Sequence, residues 1–182
     1  MKTIILAGGL GSRLDEITKI IPKPLVKIGK LPILIHIIKI FIKYNHTDFI
    51  IALGYKGEKI VEYFINRKIT KKEKKKLITG LEVNKNYLKK KCKITFIETG
   101  LKTLTGGRVK RASKLVKDDI FFLTYGDGVA DINLNKLLKQ HLKTNKLATV
   151  TAVNPPARFG ELKMNSTKVI SFSEKKPIKQ SW

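Results

Sequence analysis

Leu6-Ala7-Gly8-Gly9-Leu10-Gly11-Ser12-Arg13, entered from the apolar run Lys2 to Leu6, decides how this chain is read. The run predicts a short buried strand. Gly8, Gly9 and Gly11 carry no Cβ, so the backbone beyond the strand can turn tightly and approach a ligand closely. Amides exposed in such a turn grip phosphate oxygens. Pro22-Lys23-Pro24 follows shortly after. Arg13 presents a planar fork of donors that stays protonated, and Lys23 presents a compact charge between two prolines that restrict its backbone. The grouping predicts a clamp on the polyphosphate of a nucleoside triphosphate, with Arg13 and Lys23 as its cations.

Two commoner phosphate motifs are excluded. The third glycine of a dinucleotide fingerprint would fall at Leu14, and no Gly-Lys-Ser or Gly-Lys-Thr triplet is present to form a P-loop. Alone, the turn would serve equally well as a strand ending in any α/β fold. The lysine between prolines and the motifs downstream favour the clamp.

At 182 residues the chain fits one α/β domain. The single Cys92 has no disulfide partner and no ligand-spaced neighbour, which predicts an ordinary thiol in a reducing cytoplasm and no structural zinc. The N-terminus lacks a secretory pattern. The longest apolar stretch, Ile33 to Ile42, is broken by His36 and Lys39 and is too short to span a bilayer, so a cytoplasmic protein without a membrane partner is expected. A formal charge of +24, from 38 basic against 14 acidic side chains, would ordinarily suggest nucleic acid. The excess is lysine, with arginine only at Arg13, Arg67, Arg108, Arg111 and Arg158, and isoleucine abounds, a bias expected of AT-rich coding. The runs Lys71 to Lys76 and Lys89 to Lys91 lack interleaved aromatics for stacking and read as solvated surface. No nucleic-acid partner is expected, although the positive field speeds encounter with an anionic nucleotide.

Apolar strands alternate with helical patterns, predicting an α/β, Rossmann-like, mostly parallel sheet sandwiched by helices. A helix is expected over Ile33 to Tyr44, a strand over Phe49 to Leu53, a turn at Gly54 to Gly57 and a helix over Glu58 to Asn66. The lysine-rich segment from 68 to 93 has no clear pattern and reads as a surface insertion. Beyond it come a strand over Ile94 to Ile97, a loop over Thr99 to Gly107, a helix over Val109 to Val116 and a strand over Ile120 to Thr124. Asn133 caps a helix running to about Lys143, Leu147 to Val153 reads as a strand, and Glu161 to Lys163 with Lys168 to Phe172 form a hairpin around Asn165-Ser166.

Asp127 leaves the carboxyl end of an apolar strand between Gly126 and Gly128, where open α/β sheets bind ligands. A hard carboxylate there can hold Mg²⁺ against triphosphate oxygens, or can serve as a turn aspartate; beside Arg13 and Lys23 the metal reading is the better one. Asp131, four residues on, can support the site as a second carboxylate or sit at a helix entry, and the latter is the better reading. Thr103-Leu104-Thr105-Gly106-Gly107-Arg108 is a second glycine loop, whose hydroxyls and amides can read a nucleobase edge and whose Arg108 can hold a base carbonyl or a phosphate. From local sequence a capped helix with an exposed arginine is equally possible. Glu174 and Lys175 can bind a sugar hydroxyl and a sugar phosphate, or be surface charge. His36, His46 and His141 show no partner spacing and read as structural.

Together these motifs resemble those of the sugar-phosphate nucleotidyltransferases, the nucleoside-diphosphate-sugar pyrophosphorylases, and in particular their glucose-1-phosphate cytidylyltransferase branch. The resemblance rests on residues 6–14, Pro22 to Leu25, Leu53 to Gly57, Thr105 to Arg108, Thr124 to Asp131 and Pro155 to Gly160, and extends from Met1 to about Pro177. It implies that Leu6, Ala7, Gly8, Gly9, Leu10, Gly11, Ser12 and Arg13 bind nucleotide, that Lys23 binds phosphate, that Thr103, Arg108 and Gly126 complete the nucleotide site, and that Asp127 is a magnesium ligand. The substrates implied are CTP and glucose 1-phosphate, the products CDP-glucose and pyrophosphate, and the setting surface-polysaccharide sugar synthesis, with a homo-oligomer expected at full length. Family members using dTTP, UTP or GTP, and an inactive nucleotide-binding subunit, are the alternatives. The resemblance further implies a C-terminal portion carrying a second metal-binding aspartate, so the chain is expected to be C-terminally truncated at Trp182.

Overall fold

A computed structural model describes residues 1–9, 19–76, 81–85, 90–153 and 161–173. The chain divides into two compact units, Met1–Ile132 and Asn133–Trp182.

In the first unit, β1 (Thr3–Leu6), β4 (Asp48–Leu53), β6 (Cys92–Glu98) and β7 (Phe122–Tyr125) run parallel, and β5 (Leu81–Lys85) pairs antiparallel with β6 at one edge. The order across the sheet is β5-β6-β4-β1-β7. Strands β1, β4 and β6 are near-continuous apolar runs because helices cover both of their faces. On one face Phe49, Ile51 and Phe96 project toward α1 (Ile33–Lys43) and α2 (Gly57–Ile65), with Phe41 edge-on to Phe49 and Phe64 tilted 57° against Phe96. On the other, Ile4, Ile50 and Ala52 form a cluster with Ala112 of α4 (Thr105–Ser113), closed by Val109, Leu115, Val116 and Phe121. Helix α1 buries Leu34, Ile35, Ile37, Ile38, Phe41 and Ile42 and leaves Lys39 and Lys43 in water, the stripe its 3.6-residue period predicts.

The chain winds from β1 outward through β4 to β6 and then returns to the opposite side of β1 as β7. The winding direction therefore reverses between β1 and β7. At such a reversal the connections leaving the carboxyl ends of the two strands diverge and open a crevice.

Several sequence expectations are corrected. The segment from 68 to 93 is not only surface insertion: it contains α3 (Lys71–Lys76) and the edge strand β5, whose register runs from Leu81 opposite Phe96 to Lys85 opposite Cys92. The lysine runs that flank it hid the strand, whose own residues alternate only from Leu81 to Asn84. Helix α4 begins at Thr105, four residues before Val109, because its first turn needs no apolar period and is built on Gly106 and Gly107. Two short elements carried no sequence signal: a 3₁₀ turn at Lys23–Leu25 and a two-residue ribbon pairing β2 (Lys27–Ile28) with β3 (Leu31–Pro32).

In the second unit, α5 (Leu134–Thr144) starts as expected, with the Asn133 Oδ1 accepting from the Lys136 amide at 3.0 Å. Leu147 to Val153 is not a strand: it makes no ladder, and Leu147, Val150 and Val153 are exposed. Alternating apolar residues form a strand only where an edge receives them. The hairpin of β8 (Glu161–Asn165) and β9 (Lys168–Ser173) turns at Ser166, which takes a left-handed φ of 51°. Among the described residues no helix is long and apolar enough to cross a membrane.

Candidate functional site

The crevice between β1 and β7 is a cavity of about 460 Å³. Its floor is the backbone of Leu6 to Gly9, held by the Ala7 amide donating to Ala52 O and the Gly126 amide to Leu6 O, both at 2.9 Å, and by the Tyr55 amide donating to Gly8 O at 3.3 Å. A Cβ on Gly126 would stand 3.1 Å from Leu6 O and 3.3 Å from Pro24 Cγ, so glycine lets the β7 exit lie close against the β1 exit.

Lys23 reaches the cavity from the 3₁₀ turn. Pro22 and Pro24 are both buried, and Pro24 anchors the turn so that Lys23 points inward. Its Nζ lies 2.6 Å from Asp127 Oδ2, each side chain about one-third exposed. Upstream, Lys56 and Lys59 donate to the carbonyls of Lys19 and Ile20, Lys59 at 2.5 Å, tethering the chain that leads into this turn to α2. The two residues chosen from sequence as phosphate cation and metal carboxylate thus meet in one place.

The opposite wall is the loop from Thr99 to Leu104 with the first turn of α4. Arg108 is buried there. Its Nη1 donates to Leu53 O at 3.0 Å and Thr99 Oγ1 at 2.6 Å, and its Nη2 to Leu101 O at 3.2 Å. Burial lowers its pKa from the ordinary arginine value, partly offset by Glu98, and nearby Arg111 lowers it further. An exposed arginine is thereby excluded. The guanidinium also sits against the β1 turn, because a Cβ on Gly8 would come within 2.6 Å of its Cζ. Arg108 lines the cavity, yet three of its five N–H groups are already spent on carbonyl and hydroxyl acceptors. Thr103 lines the same wall, and its Oγ1 accepts from Arg111 Nη1 at 2.7 Å.

Of the residues named from sequence, the cavity gathers Leu6, Ala7, Gly8, Gly9, Lys23, Thr103, Arg108 and Asp127, and Gly126 lies directly behind its floor. Leu10, Gly11, Ser12, Arg13, Glu174 and Lys175 lie outside the described residues. Tyr125, Leu101 and Leu104 were missed, although they also line the wall and are exposed. Exposed apolar residues in a loop beside a glycine turn were the available signal. The histidines hold to structural places: His36 Nε2 contacts Ile28 O at 3.0 Å, His46 packs 4.7 Å from the Phe122 ring, and His141 Nδ1 contacts Thr149 Oγ1 at 2.9 Å. Among the described residues no three His, Cys, Asp or Glu side chains cluster as a metal cage.

The sequence profile of the nucleotidyl transferase family matches residues 2–181. The chain belongs to the nucleotidyl transferase family. Among relatives of this family, it is 45% identical over 175 residues to the probable glucose-1-phosphate cytidylyltransferase of Bacillus subtilis, covering 96% of this chain and 69% of that protein. It is 44% identical over 180 residues to the glucose-1-phosphate cytidylyltransferase of Salmonella typhimurium, with the same coverage of 96% and 69%. The crystal structure of HddC from Yersinia pseudotuberculosis superposes with a TM-score of 0.61 at 24% identity, over 96% of this chain and 69% of that one. At that identity the likeness speaks for the nucleotidyl transferase fold.

Proposed function

We propose that this nucleotidyl transferase moves the cytidylyl group of CTP onto α-D-glucose 1-phosphate, giving CDP-glucose and pyrophosphate. The observation that carries the reading is the meeting of Lys23 and Asp127 at the mouth of a glycine-floored crevice, in a chain 44% identical to a protein of that activity.

In this reading a phosphate oxygen of glucose 1-phosphate attacks the α-phosphorus of CTP. The new P–O bond forms as the bond from the α-phosphorus to the bridging oxygen breaks, and pyrophosphate leaves with that electron pair. No side-chain nucleophile is needed; the protein must align two anions and neutralise the leaving group. The Gly8 and Gly9 turn offers close backbone approach to the triphosphate, and Lys23 supplies a point charge to its oxygens. Thr103 and the first turn of α4 face the nucleoside end.

Asp127 suits Mg²⁺ shared with the substrate. Mg²⁺ is ordinarily held by one or two carboxylates together with substrate phosphates, and Asp127, the one carboxylate among the described residues that line the cavity, matches that donor set better than it would an all-protein cage. When bound, the ion would supply charge neutralisation on the phosphates. Lys23 and Asp127 would then exchange each other for phosphate oxygen and metal.

The test is pyrophosphate release and CDP-glucose formation by the purified chain with CTP, Mg²⁺ and glucose 1-phosphate, beside dTTP, UTP and GTP. Preferential turnover of CTP supports the reading; preference for another triphosphate reassigns the base, and CTP binding without turnover assigns a nucleotide-binding role alone.

A further inference from the structure

Lys23 and Asp127 stand on closely packed backbones. Pro22 and Pro24 on either side of Lys23 are buried, and the Val26 amide closes the turn by donating to Lys23 O at 3.0 Å. A Cβ on Gly126 would stand 3.3 Å from Pro24 Cγ, so the chain that carries Asp127 lies directly against the turn that carries Lys23. The 2.6 Å contact between Nζ and Oδ2 is therefore opened most readily by side-chain rotation.

Among the described residues neither group has another ion-pair partner. Of the other cations lining the cavity, Arg108 is committed to Leu53 O, Thr99 Oγ1 and Leu101 O, and Lys102 is exposed and pairs with no described carboxylate. A phosphate oxygen that takes Lys23 and a metal ion that takes Asp127 must both break this one contact. Whichever binds first breaks it, and the second then binds without that cost. By linkage each raises the other's affinity by the same factor. For an ion pair this wetted the factor is at most about fivefold.

We propose that the pair couples metal to triphosphate: Lys23 competes with a divalent cation for Asp127, and a phosphate group that draws Lys23 away releases the carboxylate to the metal. This inference rests on the reading above of Lys23 as a phosphate cation and Asp127 as a Mg²⁺ ligand. It adds a coupling that acts through the protein, beside the direct contact between metal and phosphate.

Because metal and triphosphate also bind each other, the experiment titrates Mn²⁺ alone into the purified chain by calorimetry, without nucleotide. Lys23→Met and Lys23→Gln should each bind Mn²⁺ about fivefold more tightly than the wild-type chain. Lys23→Arg, which keeps a paired cation, should show no gain, and the gain of Lys23→Met should vanish when Asp127→Asn is added. Lys102→Met removes the same charge from the same cavity without touching Asp127, and should change the affinity by less than about twofold, since exposed charges are screened. No gain in either neutral Lys23 variant, or an equal gain in Lys102→Met, would overturn the inference, the latter by assigning the effect to the general positive field. A repeat with CTP separates this from the metal reading: Mn²⁺ binding that Asp127→Asn weakens keeps Asp127 as a ligand whatever the Lys23 variants do. Mn²⁺ binding indifferent to Asp127→Asn, with and without CTP, removes Asp127 from the metal site and takes this inference with it.

Discussion

Lys23 Nζ and Asp127 Oδ2 form a 2.6 Å ion pair across the mouth of the cavity, joining the first connection of the sheet to the last of its parallel strands. Both side chains are about one-third exposed, and an ion pair so wetted contributes under about 1 kcal/mol to folding. Its value lies in what the two charges can meet. Lys23→Ala is expected to slow turnover by about a hundredfold, the scale of losing one charge-stabilising donor, while leaving the thermal midpoint within a degree or two. Steady-state kinetics beside a thermal melt would check this; a collapsed melt with normal turnover per folded molecule would make the pair structural.

Asp127→Asn removes the hard anionic oxygen but keeps the shape. Activity should vanish on treatment with EDTA and return with Mg²⁺ in the wild-type chain, whereas the variant should need at least about tenfold more Mg²⁺ for half-maximal rate. A variant with the wild-type magnesium titration would remove Asp127 from metal binding.

Gly8 and Gly54 are pressed from one side by Arg108. A Cβ on Gly54 would also lie 2.7 Å from the carbonyl oxygen of Gly8, a backbone atom that cannot swing away. Gly54→Ala should therefore destabilise by roughly 1–3 kcal/mol, the range for overpacking, whereas Gly9→Ala, whose Cβ would meet nothing within 4 Å, should fold normally. Denaturant melts of the two variants give the comparison, and equal midpoints would show that the Gly8–Gly54 contact tolerates a methyl group.

Arg108→Met keeps much of the buried volume and deletes the donors to Leu53 O, Thr99 Oγ1 and Leu101 O. Leaving buried acceptors without their donor costs about 1–3 kcal/mol apiece, tempered here because Leu53 O keeps the Thr99 amide and hydroxyl. A loss of roughly 2–4 kcal/mol in unfolding free energy is expected, along with weaker nucleotide binding. Unchanged stability would mean that the guanidinium is free to serve the ligand.

His46 gives a pH dependence. Its ring packs between Phe41 and Phe122 with Nε2 buried and unpartnered among the described residues, and burial, then the positive N-terminus, lowers its pKa from 6.5. The unfolded chain therefore takes up a proton on His46 at higher pH than the folded one. Stability is full above about pH 6.5 and declines as pH falls from there toward the lower folded pKa. Thermal melts between pH 8 and pH 5 should show that decline and its loss in His46→Phe; an identical slope in the variant would assign the decline to other groups.

Strands β1, β4 and β6, helices α1 and α2, and the Asn133 cap were legible because burial on two faces writes uninterrupted apolar runs and a capping residue writes its own signal. The meeting of Lys23 with the glycine turn and Asp127 was legible because glycines, prolines and a lone lysine leave few structural uses for that pattern. Strand β5 was hidden because its alternation, Leu81 and Val83 against Glu82 and Asn84, is short and lies between lysine runs. Leu147 to Val153 misled for the converse reason: its side chains alternate, but pairing needs a receiving edge. The anchoring of Arg108 was hidden because a sequence does not reveal that Leu53 O, far earlier in the chain, accepts from it. That carbonyl lies at the end of a strand, and only the tertiary fold brings helix and strand together there.

Leu53 O accepts from the Thr99 amide at 3.0 Å, the Thr99 hydroxyl at 2.5 Å and Arg108 Nη1 at 3.0 Å. One wall of the cavity is thereby tied to the last residue of a central strand buried from Phe49 onward. To swing that wall outward from Thr99, the chain must break all three bonds at once, which amounts to opening the end of the sheet. Amide hydrogen exchange at Thr99 should then be as slow as in the neighbouring strands β4 and β6, while the exposed residues of the loop beyond Gly100 exchange quickly. Breathing of the cavity is in this way confined to a few residues at its lip.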